Sequence, residues 1–334
     1  MHFAIELSGE NLALARAEAR GAIAAITGKE VELTFDGTGA FFEYRKDVSA
    51  SLAERLALAW HVGEVQASAG TIEDAIDAAP CKVDKTITAR ARAKRLTNEW
   101  GAGDGARAEA ELGEAVAKLH KVRMKAPDIE YRLLLGEKVH LCKLKESIDR
   151  ASFEARSPTK RPFFHPTTLH PRIARALVNL SRVKEDGKLL DQFCGTGGIL
   201  IEAVLVGARA MGSDIDRKMI DGARLNAAHY GLKFAQLKVA DFSEAVQLFG
   251  KVDAIATDLP YGRASYTARR KPDKVMEEFV QMLPDLLTRG GFAAISYNFP
   301  IDEMLVPEGL SIIEELPIRV HKSLTRHFTA LFRE

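Results

Sequence analysis

The segment Thr257-Asp258-Leu259-Pro260-Tyr261-Gly262 follows a strand-like run and carries the residues best suited to chemistry. An exocyclic amine of a nucleobase is a poor nucleophile, because its lone pair is delocalised into the ring. The Asp258 carboxylate and the Leu259 carbonyl could both accept from such an amine and hold its lone pair toward an electrophile, while Tyr261 stacks on the unstacked base. An ordinary strand-to-loop turn built on proline and glycine is the alternative interpretation.

A glycine-rich segment lies earlier in the chain, in Asp191-Gln192-Phe193-Cys194-Gly195-Thr196-Gly197-Gly198. Glycines let a backbone turn approach a ligand closely and lead into a helix N-terminus. A dinucleotide fingerprint would need glycine at position 200, where the chain has Leu200, and the Gly-Lys-Ser/Thr of a P-loop is absent from the sequence. Because a carboxylate repels phosphate, Asp191 favours a cationic or amine-bearing ligand.

Two further carboxylates, Asp214 and Asp241, follow the next two strand-like runs. A carboxylate after the second strand can accept from both hydroxyls of a ribose, and one after the third can accept from an adenine amine. Together with a sulfonium or ammonium group near Asp191, this series predicts S-adenosylmethionine. Each aspartate alone is more often a helix N-cap, but three at successive strand ends favour a ligand site.

The second half of the chain alternates short strands with helices, which predicts a parallel, doubly wound α/β sheet. Four prolines between Ser157 and Pro171 precede it and indicate a linker or an ordered loop. The strands are expected at 188–193, 208–213, 234–239, 252–257 and 292–297.

The first half predicts two small α+β units. In the first, two strands flank the turn Asp36-Gly37-Thr38-Gly39, and the βαββα order is ferredoxin-like. The second contains a hairpin around Gly136-Glu137. The expected elements are strand 2–7, helix 11–26, strands 31–35 and 40–44, helix 48–59, a helix from 71, strand 85–91, helix 106–120, and strands 129–135 and 138–145.

The net charge of +1 conceals a basic middle third. Residues 82–182 hold 22 basic and 12 acidic residues, a net charge of +10, whereas residues 1–81 have a net charge of −7 and residues 183–334 a net charge of −2. Such an excess is typical of a phosphate-binding surface, although a well-solvated protein surface is an equal alternative. Arg90, Arg92 and Lys94 alternate with alanines, which on a strand places them on one face.

Composition excludes several classes of protein. The 334 residues are 46% hydrophobic, carry three cysteines and contain no apolar run that could cross a bilayer, which excludes disordered, disulfide-rich and membrane-spanning chains. The start of the chain does not resemble a signal peptide, so we expect a cytoplasmic protein with reduced thiols. The spacing of His165 and His170, and of His321 and His327, suits no familiar zinc motif, so no metal is expected. Pro80-Cys81 is similar to the nucleophile of cytosine-C5 methyltransferases but precedes the catalytic pattern.

Five motifs together resemble the archaeal-type THUMP-domain tRNA guanine-10 N2-methyltransferases. They are Phe163-Phe164-His165-Pro166-Thr167-Thr168-Leu169, the glycine-rich segment, Gly212-Ser213-Asp214-Ile215-Asp216, Asp258-Leu259-Pro260-Tyr261-Gly262 and His321-Lys322-Ser323-Leu324-Thr325-Arg326. The resemblance implies a ferredoxin-like domain at 1–65, a THUMP domain that grips the tRNA acceptor end at 66–150, a linker at 151–170 and a class I (Rossmann-like) methyltransferase domain at 171–334. It also implies N2-methyl- and N2,N2-dimethylguanosine in tRNA as products.

The chain departs from this family's usual pattern at two positions. Leu259 replaces the first proline of the usual Asp-Pro-Pro-Tyr, and Gln192 stands where proline often follows the first aspartate. The Leu259 carbonyl is still available, so activity is expected. Asp258 resembles the guanine-10 enzymes more than guanine-6 tRNA and ribosomal RNA enzymes, whose motif is commonly Asn-Pro-Pro-Tyr.

The residues and motifs together predict the following sites. Catalysis is assigned to Asp258, Leu259, Pro260 and Tyr261; S-adenosylmethionine binding to Thr168, Asp191, Cys194, Gly195, Thr196, Gly197, Asp214, Ile215 and Asp241; and RNA binding to Arg90, Arg92, Lys94, Arg95, Lys160, Arg161, Arg269 and Arg270. The expected partners are tRNA and a small activator protein of the kind that accompanies some methyltransferases, on an otherwise monomeric chain. The remaining alternatives are a guanine-6 tRNA or ribosomal RNA N2-guanine methyltransferase, a DNA adenine-N6 methyltransferase and a non-catalytic RNA-binding protein.

Overall fold

The computed structural model describes residues 1–78, 82–260, 271–321 and 324–334, which form two sheets with helices packed on them. Contacts divide the chain into two units. The first comprises residues 1–12, 31–54 and 59–148, and the second comprises residues 13–30, 55–58 and 149–334. This grouping differs from the domain limits expected from the sequence, because residues 13–30 belong to the second unit.

The first unit contains a mixed sheet whose strand order is β2-β3-β1-β4-β8-β7-β5-β6. Its long strand β4 pairs antiparallel with β1 on one side and with β8 on the other, so one sheet runs through both expected α+β units. The strands are β1 (His2–Leu7), β2 (Thr34–Asp36), β3 (Gly39–Glu43), β4 (Ala59–Ala69), β5 (Thr88–Arg95), β6 (Lys121–Val122), β7 (Ile129–Leu135) and β8 (Val139–Ser147).

The helix expected at 48–59 is shorter in the structure, and the strand that follows it was not predicted. Helix α2 spans Ser49–Arg55, and β4 begins at Ala59. The Ala- and Leu-rich run 52–59 favours a helix locally, but β4 gains backbone hydrogen bonds from strands on both sides. Tertiary pairing therefore overrides local propensity here.

Two helices cover one face of this sheet. They are α3 (Ile72–Asp77) and α4 (Asp104–Leu119), and both contribute to one buried cluster. In this cluster Leu112 and Val116 of α4 pack with Leu133 and Leu141. On another part of the sheet, Phe41 packs in a cluster that contains Leu96, Leu134 and Cys142. The predicted helix at 106–120 is confirmed by α4.

The second unit contains a sheet of order β11-β10-β9-β12-β13-β15-β14. Strands β9 to β13 are parallel and β15 runs antiparallel between β13 and β14, so the predicted doubly wound parallel sheet is confirmed and gains an antiparallel extension. The strands are β9 (Lys188–Asp191), β10 (Arg209–Asp214), β11 (Gln236–Val239), β12 (Val252–Asp258), β13 (Leu287–Tyr297), β14 (Leu310–His321) and β15 (Leu324–Arg333).

Helices α6 (Pro171–Leu180), α7 (Gly198–Leu205), α8 (Arg217–His229) and α10 (Pro272–Leu286) contact strands of this sheet. The unit also includes α5 (Arg150–Ala155), α9 (Ala245–Phe249) and nearly all of α1 (Leu12–Thr27). Phe279 and Leu283 of α10 belong to one buried cluster with Ile255 of β12 and Ile295 of β13. No helix in the described parts of the chain is long and apolar enough to cross a membrane.

A buried polar cluster holds α1 and residues 55–58 within the second unit. The Glu18 carboxylate accepts from the backbone nitrogens of Ala57 (2.9 Å) and Leu58 (2.8 Å) and from Asn179 Nδ2 (3.0 Å). Burial raises the pKa of Glu18 to about 7. A Cβ on Gly21 would lie 2.1 Å from the Asn179 carbonyl oxygen, so only glycine permits this approach of α1 to α6.

Candidate active site

Four of the predicted aspartates lie at or just beyond the carboxyl ends of parallel strands. Asp191, Asp214 and Asp258 end β9, β10 and β12, and Asp241 follows β11. Because parallel strands end at the same edge of a sheet, these residues share one rim. Ligands of open α/β sheets bind at this rim.

The glycine-rich segment forms the turn from β9 into α7. Gly195 has φ +49° and Gly197 has φ +81°, a backbone region that favours glycine. The Gly197 nitrogen donates to the Cys194 carbonyl at 2.8 Å, and Gly197 precedes the first residue of α7. A Cβ on Gly195 would meet no atom within 4 Å, so the backbone here faces open space that a ligand can approach.

Asp214 ties the second strand to this turn. Its Oδ2 accepts from the Gly195 nitrogen and its Oδ1 from the Asp216 nitrogen, both at 2.9 Å. Burial raises the pKa of Asp214, and these two backbone donors oppose that shift. Asp214 and the adjacent Ile215 are partly exposed, so the carboxylate retains acceptor capacity for ribose hydroxyls.

Asp191 is the most deeply buried carboxylate of the rim, with 1% of its surface exposed. Its Oδ1 accepts from Thr257 Oγ1 (2.7 Å) and from the Phe193 nitrogen (3.1 Å). Burial, reinforced by the nearby Asp214 and Asp258, raises its pKa to about 7. A bound cation would favour the ionised form of this carboxyl group, so the cation-binding role expected of Asp191 stays a prediction.

Asp258 lies at the end of β12 with 16% of its side chain exposed. Ser296 Oγ donates to Asp258 Oδ1 at 2.7 Å, and Arg326 Nη1 lies 3.3 Å from Oδ2. The Leu259 nitrogen donates to the Ser296 carbonyl at 2.9 Å, and the Leu259 side chain is buried in the core. Pro260 follows and is half-buried, whereas Tyr261 lies outside the described residues.

The linker loop before α6 contacts the glycine turn. Thr168 Oγ1 lies 3.0 Å from Thr196 Oγ1. Asn226 of α8 donates to the carbonyls of Phe163 (2.9 Å) and Thr196 (3.1 Å), so it joins the loop to the turn. Sequence reasoning missed Asn226, because an asparagine inside a helix gives no signal of a long-range contact.

Two predicted residues have structural partners that account for them. Asp241 Oδ1 accepts from the Ser243 nitrogen at 3.0 Å in a capping box with Glu244, which is the N-cap alternative weighed for each aspartate. Cys194 is buried, and its nitrogen donates to the Ser213 carbonyl at 3.0 Å. The Cys194 backbone therefore shapes the turn. Burial raises the pKa of its thiol well above the usual range.

Known proteins resemble this chain over its whole length. A family model described as RMKL-like, methyltransferase domain, matches residues 158–301. The tRNA (guanine(10)-N2)-dimethyltransferase of Methanothermobacter thermautotrophicus is 35% identical over 98% of this chain and 98% of its own length. This chain belongs to the tRNA (guanine(10)-N2)-dimethyltransferase family. The protein of the same name from Methanocaldococcus jannaschii is 37% identical over 67% of this chain and 64% of its own length.

A solved structure shares the fold of this dimethyltransferase-family chain. The crystal structure of TrmN from Thermus thermophilus matches with a TM-score of 0.54 and 20% identity, and the match covers 100% of both chains. This match concerns the fold, whereas the 35% identity to the Methanothermobacter protein confirms the resemblance to the guanine-10 methyltransferase family that the motifs indicated.

The dimethyltransferase family's substrate is a nucleic acid, so the predicted RNA-binding cations matter. Arg90 pairs with the buried Glu130, and Arg92 pairs with Glu109 at 2.7 Å, so both are neutralised within the first unit. Arg95 donates to the Trp100 carbonyl at 2.8 Å and remains exposed, as does Lys94. Arg269 and Arg270 lie outside the described residues.

The prediction that Arg161 contacts RNA is contradicted by its burial. The residue is 5% exposed, and its Nε donates to the Arg156 carbonyl at 3.0 Å. Its Nη1 would lie 3.2 Å from a Cβ on Gly198, so the guanidinium packs under the start of α7. The adjacent Lys160 is exposed. Sequence reasoning also missed three exposed cations at the sheet edge, Lys121, Arg123 and Lys125.

Proposed function

We propose that this protein transfers methyl groups from S-adenosylmethionine to the N2 amine of guanosine 10 in tRNA, adding one and then two methyl groups. The observation that carries the proposal is the 35% identity to a tRNA (guanine(10)-N2)-dimethyltransferase over 98% of both chains. The sheet rim supports it independently, because it combines an open glycine turn, a ribose-competent carboxylate and a partly exposed acceptor at the end of β12.

The rim residues fit the cofactor. The backbone of Gly195 faces open space, and a bound adenosyl group would place its ribose against Asp214. The buried Asp191 carboxylate would face the positive charge of the sulfonium or ammonium group. Thr168 holds the turn through its hydrogen bond with Thr196, and Gly197 leads from the turn into α7.

The acceptor pair orients the base amine. In the first transfer Asp258 and the Leu259 carbonyl would accept the two N2 hydrogens, which holds the nitrogen lone pair in line with the methyl carbon. In the second transfer N2 has one hydrogen left, which one of these two acceptors would bind. When bound, S-adenosylmethionine supplies that carbon, and the C–S bonding electrons return to sulfur as the N2 lone pair forms the new bond. The proton released from N2 passes to the Asp258 carboxylate or to water. Tyr261 is proposed to stack on the flipped guanine.

The first unit supplies the proposed tRNA contact. Residues 66–150 are proposed as a THUMP domain, and residues 1–65 as the preceding ferredoxin-like domain. The exposed cations Lys94, Lys121, Arg123 and Lys125 would bind backbone phosphates, since structured RNA is recognised largely by shape and backbone. We also propose that the protein is cytoplasmic and that a small activator protein binds it.

Nucleoside mass spectrometry tests the reaction directly. A tRNA transcript incubated with the protein and methyl-labelled S-adenosylmethionine should yield N2-methyl- and N2,N2-dimethylguanosine. A transcript with adenosine at position 10 should yield neither, whereas one changed at position 6 should react normally. Product at another guanosine would favour the guanine-6 or ribosomal alternative. Formation of N6-methyladenine in DNA would favour the DNA adenine-N6 methyltransferase. Failure to bind S-adenosylmethionine in calorimetry would favour the non-catalytic RNA-binding protein.

A substitution tests the acceptor. Asp258→Ala should lower the rate of transfer about 100-fold or more, because alanine presents no acceptor to the N2 amine. Asp285→Ala, an exposed change on α10, is the matched control and should leave the rate unchanged. Near-normal turnover by Asp258→Ala would contradict the role given to Asp258.

A further inference from the structure

Two side chains from neighbouring strands converge on the Asp258 carboxylate. Ser296 on β13 donates to Oδ1 at 2.7 Å. Arg326 on β15 places Nη1 3.4 Å from Oδ1 and 3.3 Å from Oδ2. Ser296 thus donates to Oδ1, and the guanidinium lies at nearly the same distance from both carboxylate oxygens.

The strand register explains this convergence. Asp258 pairs with Ser296 across β12 and β13, and Ser296 pairs with Phe328 across β13 and β15. Directly paired residues point to the same face of a sheet, and residues two apart on one strand share a face. Arg326, two residues before Phe328, therefore lies on the face that carries Ser296 and Asp258.

Opposing effects act on the pKa of Asp258. Burial raises it overall, and the guanidinium of Arg326 and the hydroxyl of Ser296 offset part of that rise. Asp191 of β9 also interacts electrostatically with Asp258, and two negative charges disfavour each other's ionisation. Arg326 is 12% exposed, so solvent screens its charge only weakly.

We propose that Arg326 is a positioning residue that keeps Asp258 ionised, so that the carboxylate can accept from the guanine amine. The proposal rests on the proposed function, because it assigns the state in which Asp258 meets its substrate. An N2 amine offers two N–H donors, so its partner must be an acceptor. A protonated carboxyl group would direct an O–H donor at the amine and lose that capacity.

The pH dependence of single-turnover methyl transfer separates this role from a structural one. It is measured at saturating S-adenosylmethionine and tRNA for the wild type, Arg326→Gln, Arg326→Lys and Ser296→Ala. In Arg326→Gln the acidic limb of the pH–rate profile should move upward by about one pH unit or more, which lowers the rate about tenfold or more at any pH on the sloping part of that limb. The rate should recover at alkaline pH. Arg326→Lys should restore most of the limb position, and Ser296→Ala should shift it less.

Binding and stability controls accompany the profiles. The affinity for S-adenosylmethionine by calorimetry and the melting temperature should be nearly unchanged in Arg326→Lys and Ser296→Ala. Arg209→Gln, an exposed change at the start of β10, is the matched control and should reproduce the wild-type profile.

The outcomes distinguish this inference from the proposed function. If Asp258→Ala is inactive but the acidic limb is unmoved in both Arg326→Gln and Ser296→Ala, the role of Arg326 is overturned and the function stands. A uniform loss of rate at every pH in folded Arg326→Gln, with no rescue by lysine, also overturns it. If Asp258→Ala remains active, the assignment of Asp258 itself fails.

Discussion

Asp191→Asn should make the protein more stable and bind its cofactor less well. The Asp191 carboxyl group is 1% exposed, and its pKa is raised from the usual 3.8 to about 7. Asparagine keeps an acceptor for Thr257 Oγ1 and the Phe193 nitrogen, which both bind Oδ1, but it carries no charge to bury. The substitution therefore removes a desolvation cost and retains the hydrogen bonds.

The size and pH range of this stabilisation follow from linkage. A carboxyl group whose pKa is raised on folding contributes fully to stability below its unfolded pKa, and this contribution is lost as pH rises through its folded pKa. The span from 3.8 to about 7 corresponds to about 4 kcal/mol of unfolding free energy. The advantage of Asp191→Asn over the wild type should therefore grow by about 3 kcal/mol between pH 5 and pH 8.

Asp191→Asn should weaken cofactor binding, although it stabilises the fold. If the positive charge of S-adenosylmethionine binds the ionised Asp191, wild-type affinity should fall about tenfold from pH 8 to pH 6, as the carboxylate gains a proton. Asp191→Asn should bind weakly and lack this additional dependence. S-adenosylhomocysteine has no sulfonium charge, so its affinity should respond less to the substitution. Comparing variant and wild type with the same ligand cancels the ligand's own titrations.

Urea denaturation and calorimetry at pH 5, 6 and 8 measure both effects. Asp285→Asn, an exposed change on α10, controls for the loss of one negative charge. The reasoning is refuted if Asp191→Asn is no more stable than the wild type at pH 8. It is equally refuted if the two proteins show the same pH dependence of S-adenosylmethionine binding.

Two further predictions concern the helix packed on α6 and the basic sheet edge. Glu18→Ala should lower the unfolding free energy by about 2 kcal/mol or more, because Ala57, Leu58 and Asn179 each lose an acceptor. Since burial raises the pKa of Glu18 to about 7, the wild-type advantage should shrink as pH rises from 5 to 7, which urea titrations would reveal. Replacing Lys121, Arg123 and Lys125 by alanine should weaken tRNA binding and reduce the magnitude of its log–log salt slope by about 2 to 3, with cofactor affinity by calorimetry unchanged.

Much of the second unit could be predicted because its local signals agree with its tertiary structure. The glycine turn after Asp191 and the strand ends at Asp214 and Asp258 lie where the alternation of strands and helices placed them. In the first unit, β4 was missed because its sequence lacks a clean alternation of buried and exposed residues. Its pairing with strands on both sides supplies the missing stabilisation.

Other features depend on residues that are distant in sequence. The sequence predicted that Arg161 lies on the surface, because a charged residue in a proline-rich loop is usually solvated. The fold instead buries it beneath Gly198. The neutralisation of Arg90 depends on Glu130, which lies 40 residues later in the chain. Charge counts locate an excess of basic residues but do not show which of them are already paired.

The kind of chemistry could be predicted without the fold, because glycines, carboxylates and an acceptor at strand ends are local patterns that require no knowledge of distant contacts. The way in which Asp258 is held depends instead on tertiary contacts. Arg326 lies 68 residues away in sequence and reaches the carboxylate because β15 inserts antiparallel beside β13. Strand register sets which side chains share a face, and register across non-neighbouring strands is fixed by packing rather than by any short run of residues.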